Sequence, residues 1–323
     1  MNVLSYWLRL LRLFYHYKKK SFKLPYMPVR LWLELTSDCN FSCVMCPNKD
    51  LEKQDRGMMP LELFERIVDE AAEWVFEINL AHRGESMLHP QLPEMIAYAH
   101  GKKIYTRLHS NASLLSEELS RRLIDAGLDR LSFSFDGYDK PTYEKIRRGG
   151  DFKRTTANIV RFLEIKKEMN SKTPETAIEV INFHPVKESP AGSEAFRMRF
   201  EGLPLDSFVM KELHNWAGEI RAAKPGRHYS PCTFPWNALV VFWDGAVLPC
   251  TQDFFGYYTT GNANQSSLRD IWNGERMQTL RRRLASGDVS GLKTCSACDR
   301  VWRKGFLGVP KEFLWKFITR KMP

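Results

Sequence analysis

From Arg30 onward the chain alternates short apolar stretches of strand length with longer stretches whose apolar residues recur at helical spacing, and this alternation limits the fold more than any other feature. Strand patterns at 29–35, 76–80, 104–108, 130–135 and 177–183 are separated by helical patterns at 61–74, 92–100, 116–126 and 152–169. A sixth unit, 195–200 followed by 208–213, completes the series. Strands that alternate with helices pair in parallel through right-handed crossovers. Six units do not close an eight-stranded barrel. The expected architecture is therefore α/β, a partial (β/α)6 TIM-like barrel followed by a small C-terminal cysteine-rich α+β module.

The second module begins where the composition changes, near Lys224, Pro225 and Gly226. Strand patterns at 238–243 and 246–248 flank Asp244-Gly245, which predicts a two-residue hairpin turn with positive φ at both positions. Short helices are predicted at 267–272 and 276–284. The expected organisation is a basic amphipathic segment over 1–29, the barrel over 30–223, the cysteine-rich module over 224–300 and a basic aromatic tail over 301–323.

The formal charge of +10 suggests nucleic acid, but residues 1–33 hold seven Lys or Arg and no acid, and 299–323 are also strongly basic, so the body between them is nearly neutral. It offers no continuous basic stripe to follow phosphates, and no nucleic-acid partner is expected. Both basic ends are amphipathic: Val3, Leu4, Trp7, Leu8, Leu11, Phe14 and Tyr15 in one, Phe313, Leu314, Trp315, Phe317 and Ile318 in the other. Such helices either lie in a membrane interface or cover the protein body. No apolar stretch reaches the roughly 18 to 20 residues that span a bilayer.

Seven cysteines fall into two groups, Cys39, Cys43, Cys46 and Cys232, Cys250, Cys295, Cys298. An odd number in tight groups argues against disulfides. Lys18, Lys19 and Lys20 follow the N-terminal apolar stretch with no small-residue cleavage site after them, so no secretory signal is read. The expected location is cytoplasmic, peripheral at the inner face of the membrane where the ends bind lipid. Cys39, Cys43 and Cys46 form CxxxCxxC directly after the first strand, at the sheet mouth where α/β folds bind ligands. Three thiolates can hold three irons of a 4Fe-4S cluster and leave the fourth open. Zinc is the alternative, though its usual ligands come as paired CxxC units.

The run Cys39-Asn40-Phe41-Ser42-Cys43-Val44-Met45-Cys46-Pro47, after Glu34-Leu35-Thr36, resembles the signature of the radical S-adenosylmethionine superfamily. The resemblance implies that S-adenosyl-L-methionine chelates the open iron through its amino and carboxylate groups. An electron from the cluster then cleaves it to methionine and a 5′-deoxyadenosyl radical. Met45 stands where the family commonly has an aromatic residue. Gly84-Glu85 resembles the family's motif for the methionine amino group, with Arg83 where a second glycine is usual and Ser86 where proline is frequent. Ser110-Asn111, Ser134, Asp136 and Gly137 are placed to reach ribose or substrate, and are also ordinary turn residues. Arg147 and Arg148 precede Gly149-Gly150 in a segment similar to one common in the family, where either arginine can meet a carboxylate or the substrate, or be a solvated basic pair.

The second cysteine group resembles the SPASM/twitch extension of these enzymes, together with Asp244-Gly245, Gly261-Asn262 and Ile271-Trp272-Asn273. It implies one auxiliary 4Fe-4S cluster with four protein ligands, making two clusters in all, with a structural zinc as the alternative. No cysteine is then left to donate a hydrogen atom to a substrate radical, which argues against a cysteine-dependent epimerase, although a tyrosine could donate. A fully ligated auxiliary cluster suits electron acceptance, and so an oxidoreductase. The expected substrate is a sugar, cyclitol or other hydroxylated small molecule, lipid-linked if the ends touch membrane, with flavodoxin or ferredoxin as electron donor. Candidates for proton handling are His89, Tyr138, Tyr143, Arg148, His184, Lys187 and His214. The competing expectations are a peptide-modifying maturase and a non-catalytic iron–sulfur carrier.

Overall fold

A computed structural model of the chain describes residues 3–182, 190–220, 229–302, 305–306 and 309–310. The candidates His184 and Lys187, the composition change near 224–226, Phe183 of the predicted fifth strand and the aromatic stretch at 313–318 lie outside these residues. The chain divides into two compact units, one formed by Arg30–Leu213 with Val240–Ala246, the other by Met1–Val29, His214–Leu239 and Val247–Pro323. The first unit thus ends its main segment at Leu213 and also takes in 240–246 of the predicted hairpin.

In the first unit six strands lie side by side in chain order, all parallel: β1 (Arg30–Leu33), β2 (Glu77–Asn79), β3 (Tyr105–Ser110), β4 (Arg130–Ser134), β5 (Glu175–Asn182) and β6 (Ser207–Glu212). Counting the N-terminal helix α1 (Val3–Lys18) of the other unit, the connecting helices are α2 (Leu61–Ala71), α3 (Leu92–Gly101), α4 (Glu117–Asp125), α5 (Lys140–Ile146), α6 (Phe152–Glu168) and α7 (Pro190–Arg197). Capping explains several starts: Ser116, Asp139 and Asp151 each accept a backbone N–H three residues on. The periodicity did not predict α5, which has only seven residues. Its signals are local, the Asp139 cap and Pro141 in the first turn.

Alternation along the strands sorts the side chains. One face is apolar: Leu31, Ile78, Leu108, Leu131, Phe133 and Ile178 are all fully buried, and Phe133 meets Phe162 of α6 edge-on at 5.7 Å. The other face is charged at its base. Arg30 and Arg107 share Glu77, at 3.5 and 3.1 Å, and Arg130 pairs with Glu175 at 2.9 Å. Burial of an unpaired charge costs several kcal/mol, so these pairs allow a polar lumen to exist at all. The residues around Asp244-Gly245 differ from expectation. Only Gly245 takes positive φ, and its N–H donates to Phe242 O while Phe242 N–H donates to Ala246 O. The loop is thus three residues ending in a left-handed glycine, the next most common hairpin solution.

The second unit is built around Trp236, Trp272, Met277, Leu280 and Leu284, each nearly or fully buried. Its helices after α1 are α8 (Phe234–Asn237), α9 (Leu268–Trp272), α10 (Glu275–Ser286) and α11 (Lys293–Ala297). Indole N–H groups fasten the early segment to the late one: Trp236 donates to Ser21 O at 2.9 Å and Trp272 to Tyr26 O at 2.6 Å. On α1, Leu10 and Tyr17 are buried, whereas Leu8, Leu11 and Tyr15 are exposed. Among the described residues no helix is long and apolar enough to cross a membrane.

Arg281 is the buried polar hub of this unit. Its guanidinium donates to Pro235 O at 2.7 Å and Phe22 O at 3.0 Å and lies 4.2 Å from the Trp272 ring centroid. Arg281→Met keeps the volume but strands two carbonyls, and is expected to destabilise this unit by about 2 to 3 kcal/mol. A urea titration followed by tryptophan fluorescence measures the loss.

Candidate functional site

The three-cysteine loop follows β1 and is fixed by backbone contacts rather than by its thiols. Glu85 N–H donates to Asp38 O at 2.8 Å, and the Asn48 amide donates to both Ser37 O and Arg83 O, at 2.7 and 2.9 Å. Gly84 lies where no side chain fits, since a Cβ there would stand 2.3 Å from Thr36 O and 2.4 Å from Asp38 O. From the other side, Ser42 N–H donates to Arg148 O and Val44 N–H to Ile146 O. Gly149, at φ +94°, and Gly150 pass Asn40 and Phe41 closely, which accounts for the two glycines after the arginine pair.

The Glu85 carboxylate is 3% exposed and accepts from Met87 N–H at 3.1 Å and Asn111 N–H at 2.8 Å. Burial, which outweighs these hydrogen bonds, raises its pKa above the usual carboxylate range. It ties the end of β3 to the loop after β2. Arg83 forms a two-pronged pair with the fully buried Glu34, at 2.5 and 2.7 Å, and stacks 3.6 Å over Phe242. Burial opposes ionisation of Glu34, but Arg83 and His82 together hold its pKa below normal.

Burial pushes the Cys39 thiol up to about 12, with Glu85, Cys43 and Cys46 adding to the rise. Cys46 is likewise pushed to about 11. Thiols held this way remain protonated until a cation binds. Among the described residues no three His, Cys, Asp or Glu lie close enough to hold one metal ion. Three thiols on one short loop at the sheet mouth are the donor type that iron–sulfur clusters use.

The other predicted residues have the following surroundings. Asn111 gives its amide to Asn40 Oδ1 at 2.8 Å and accepts from Ser113, so it braces the cysteine loop. Ser110 Oγ donates toward Met87 Sδ at 3.2 Å. His89 has both ring nitrogens engaged, by Met59 O at 3.0 Å and Gln91 N–H at 3.2 Å. The Tyr143 hydroxyl donates to Thr155 Oγ1 at 3.1 Å. Arg148 is exposed, Ser134, Tyr138 and Met45 are half-buried or buried at or near the ends of their elements, and His214 belongs to the second unit, 5.8 Å from the Trp216 ring.

The sequence reading missed a cluster inside the barrel. His109 on β3 has Nδ1 3.2 Å from Glu179 Oε2 on β5, and Lys211 Nζ on β6 reaches the same oxygen at 2.5 Å. Burial works against the Glu179 charge, yet His109 and Lys211 hold its pKa well below the usual value. His109 keeps 23% of its side chain exposed, and its Nε2 has no partner among the described residues. The available signal was alternation: Tyr105, Arg107 and His109 share one face of β3, and both of its basic side chains are on that face.

In the second unit Cys232, Cys250 and Cys295 line one cavity of 290 Å³ together with Asp253, Tyr258 and Lys293. Burial and the neighbouring thiols raise the pKa of Cys250 well above normal, and burial pushes Cys298 to about 12. All seven cysteines are free of disulfides.

Comparison with known proteins agrees with this geometry. The profile of the Radical SAM superfamily matches residues 33–182, and the SPASM profile, an iron-sulfur cluster-binding domain, matches residues 232–299. A tungsten-containing aldehyde ferredoxin oxidoreductase cofactor-modifying protein from Pyrococcus furiosus is 24% identical, over 84% of this chain and 89% of its own. An AdoMet-dependent heme synthase from Methanosarcina barkeri is 29% identical, over 82% and 87%. The crystal structure of BtrN in complex with AdoMet and 2-DOIA superposes with a TM-score of 0.59 at 18% identity, covering 85% of this chain and 94% of that one, a likeness of fold.

The close approach at Gly84 predicts a specific defect. Gly84→Ala is expected to bind about four irons per chain after anaerobic reconstitution, against about eight expected for the native protein. Gly101→Ala, at a position with open space around the added methyl group, is expected to match the native content.

Proposed function

This chain belongs to the radical S-adenosylmethionine superfamily and carries a SPASM-type iron–sulfur domain, and from that membership we propose that its reaction is the oxidation of a hydroxylated small molecule. The observation that carries the reading is the gathering of Cys232, Cys250 and Cys295 around one cavity, with Cys298 at the end of the same short helix as Cys295. Four protein thiols can ligate an auxiliary cluster fully. With Cys39, Cys43 and Cys46 assigned to the first cluster, no thiol remains as a hydrogen donor. Bound there, the clusters and S-adenosylmethionine supply a 5′-deoxyadenosyl radical that takes a hydrogen atom and a centre that accepts the electron left behind.

The residues of the barrel supply the rest. Gly84 and Glu85, which resemble the family's motif for the methionine amino group, supply a backbone acceptor and a carboxylate suited to an ammonium group. His109 takes the role of base: Nδ1–H donates to Glu179, which leaves Nε2 as the proton acceptor on the exposed side of the ring. The substrate carbinol thus loses a hydrogen atom from carbon, a proton from oxygen to His109 and one electron, and a carbonyl group results. A sugar, a cyclitol or a lipid-linked alcohol meets these requirements. A second reading, oxidative modification of a prosthetic-group precursor, is favoured by the names of the two relatives that span most of the chain, heme synthase and cofactor-modifying protein.

Iron, sulfide and zinc analysis with Mössbauer spectra tests the cluster assignment. The native chain is expected to hold about eight irons and a Cys39→Ala, Cys43→Ala, Cys46→Ala variant about four. Four irons with one zinc would end the electron-acceptor role. His109→Gln is expected to lower the yield of oxidised product per 5′-deoxyadenosine by roughly 10²-fold while leaving iron content unchanged. Unchanged coupling between the two products would exclude His109 as the base.

A further inference from the structure

Arg147 closes α5 and aims its guanidinium at the three-cysteine loop. Its Nε and Nη2 form a fork with Asp136, at 2.7 and 2.6 Å, and its Nη1 points to Cys43 Sγ at 3.8 Å. Asp136 is fully buried and anchored by Ile181 N–H at 2.6 Å, so the fork cannot swing. The carbonyls either side of Arg147, those of Ile146 and Arg148, accept from the residues either side of Cys43, Val44 and Ser42. Donor and sulfur are therefore held in register by two backbone hydrogen bonds as well as by Asp136. The arginine that the sequence placed against a carboxylate or substrate has its carboxylate within the protein, and its remaining edge faces sulfur.

We infer that Arg147 is a positioning residue that raises the reduction potential of the cluster held by Cys39, Cys43 and Cys46, through a charge-assisted N–H···S bond to Cys43. This rests on the assignment of those three cysteines as cluster ligands. A reduced cluster carries one more negative charge than an oxidised one, and a cationic donor on a ligand sulfur stabilises the reduced form more. Asp136 offsets part of the guanidinium charge without occupying Nη1. The fork thus gives a directed hydrogen bond with little net charge added to a buried site, which limits its desolvation penalty.

The test is an EPR-monitored redox titration of the reconstituted full chain, with the C-terminal cluster as internal reference. In Arg147→Met the midpoint of the N-terminal cluster is expected to fall while that of the C-terminal cluster stays fixed, and Arg147→Lys is expected to recover part of the difference. An N-terminal midpoint unchanged in Arg147→Met, at full iron content, overturns the inference. Native protein labelled with 15N-arginine provides a readout free of folding effects: a nitrogen hyperfine coupling on the reduced N-terminal cluster supports the contact, and its absence overturns it. If the triple cysteine variant keeps all its iron, the loop is not a cluster site, and that result removes the assignment and this inference together.

Discussion

The barrel mouth depends on one close approach of backbone to backbone. Because Gly84 has no side chain, the loop after β2 lies directly on the carbonyls of Thr36 and Asp38, and Glu85 N–H bonds to Asp38 O. Everything else at the mouth is arranged around that contact. The Glu85 carboxylate reaches on to Asn111 N–H, Asn111 reaches Asn40, and the Asn48 amide spans Ser37 and Arg83. Three consecutive strand ends are thereby fixed to a cysteine loop with no regular structure of its own.

A second principle is the pairing of buried charge. The lumen holds Glu34 with Arg83, Glu77 with Arg30 and Arg107, Glu179 with His109 and Lys211, and Asp136 with Arg147. Each of these four carboxylates has at least one cationic partner, so their charges are retained in the interior without being stranded. Such an interior adds little to stability compared with apolar packing, but it lines the barrel with oriented donors and acceptors.

The order of elements was legible because each strand and its following helix carry different periods, and the cysteines were legible because their spacing is local. Pairings across the sheet were not. His109 was one polar residue of a strand until β5 and β6 brought Glu179 and Lys211 to it, and Arg83 was an unexpected replacement for glycine until Glu34 and Phe242 gave it a place. His89 illustrates the opposite case: an apt residue type at a strand mouth, it is fully engaged by Met59 and Gln91. The turn at Asp244-Gly245 was placed in sequence but not in kind, because turn geometry depends on which φ becomes positive, and only Gly245 does so.

The membership of the second unit has a consequence for synthesis. Phe22, Leu24 and Tyr26 leave the ribosome well before their partners, Arg281, Asn273 and Trp236, which lie 259, 249 and 210 residues further on. The three-cysteine loop, by contrast, is braced by residues no later than Ile181, through Gly84, Asn111, Asp136 and Arg147. Domains form as units while a chain grows. The three-cysteine loop can therefore take shape while residues 22–26 still wait for their partners, whereas Cys232, Cys250, Cys295 and Cys298 are all present only once that later segment has been made.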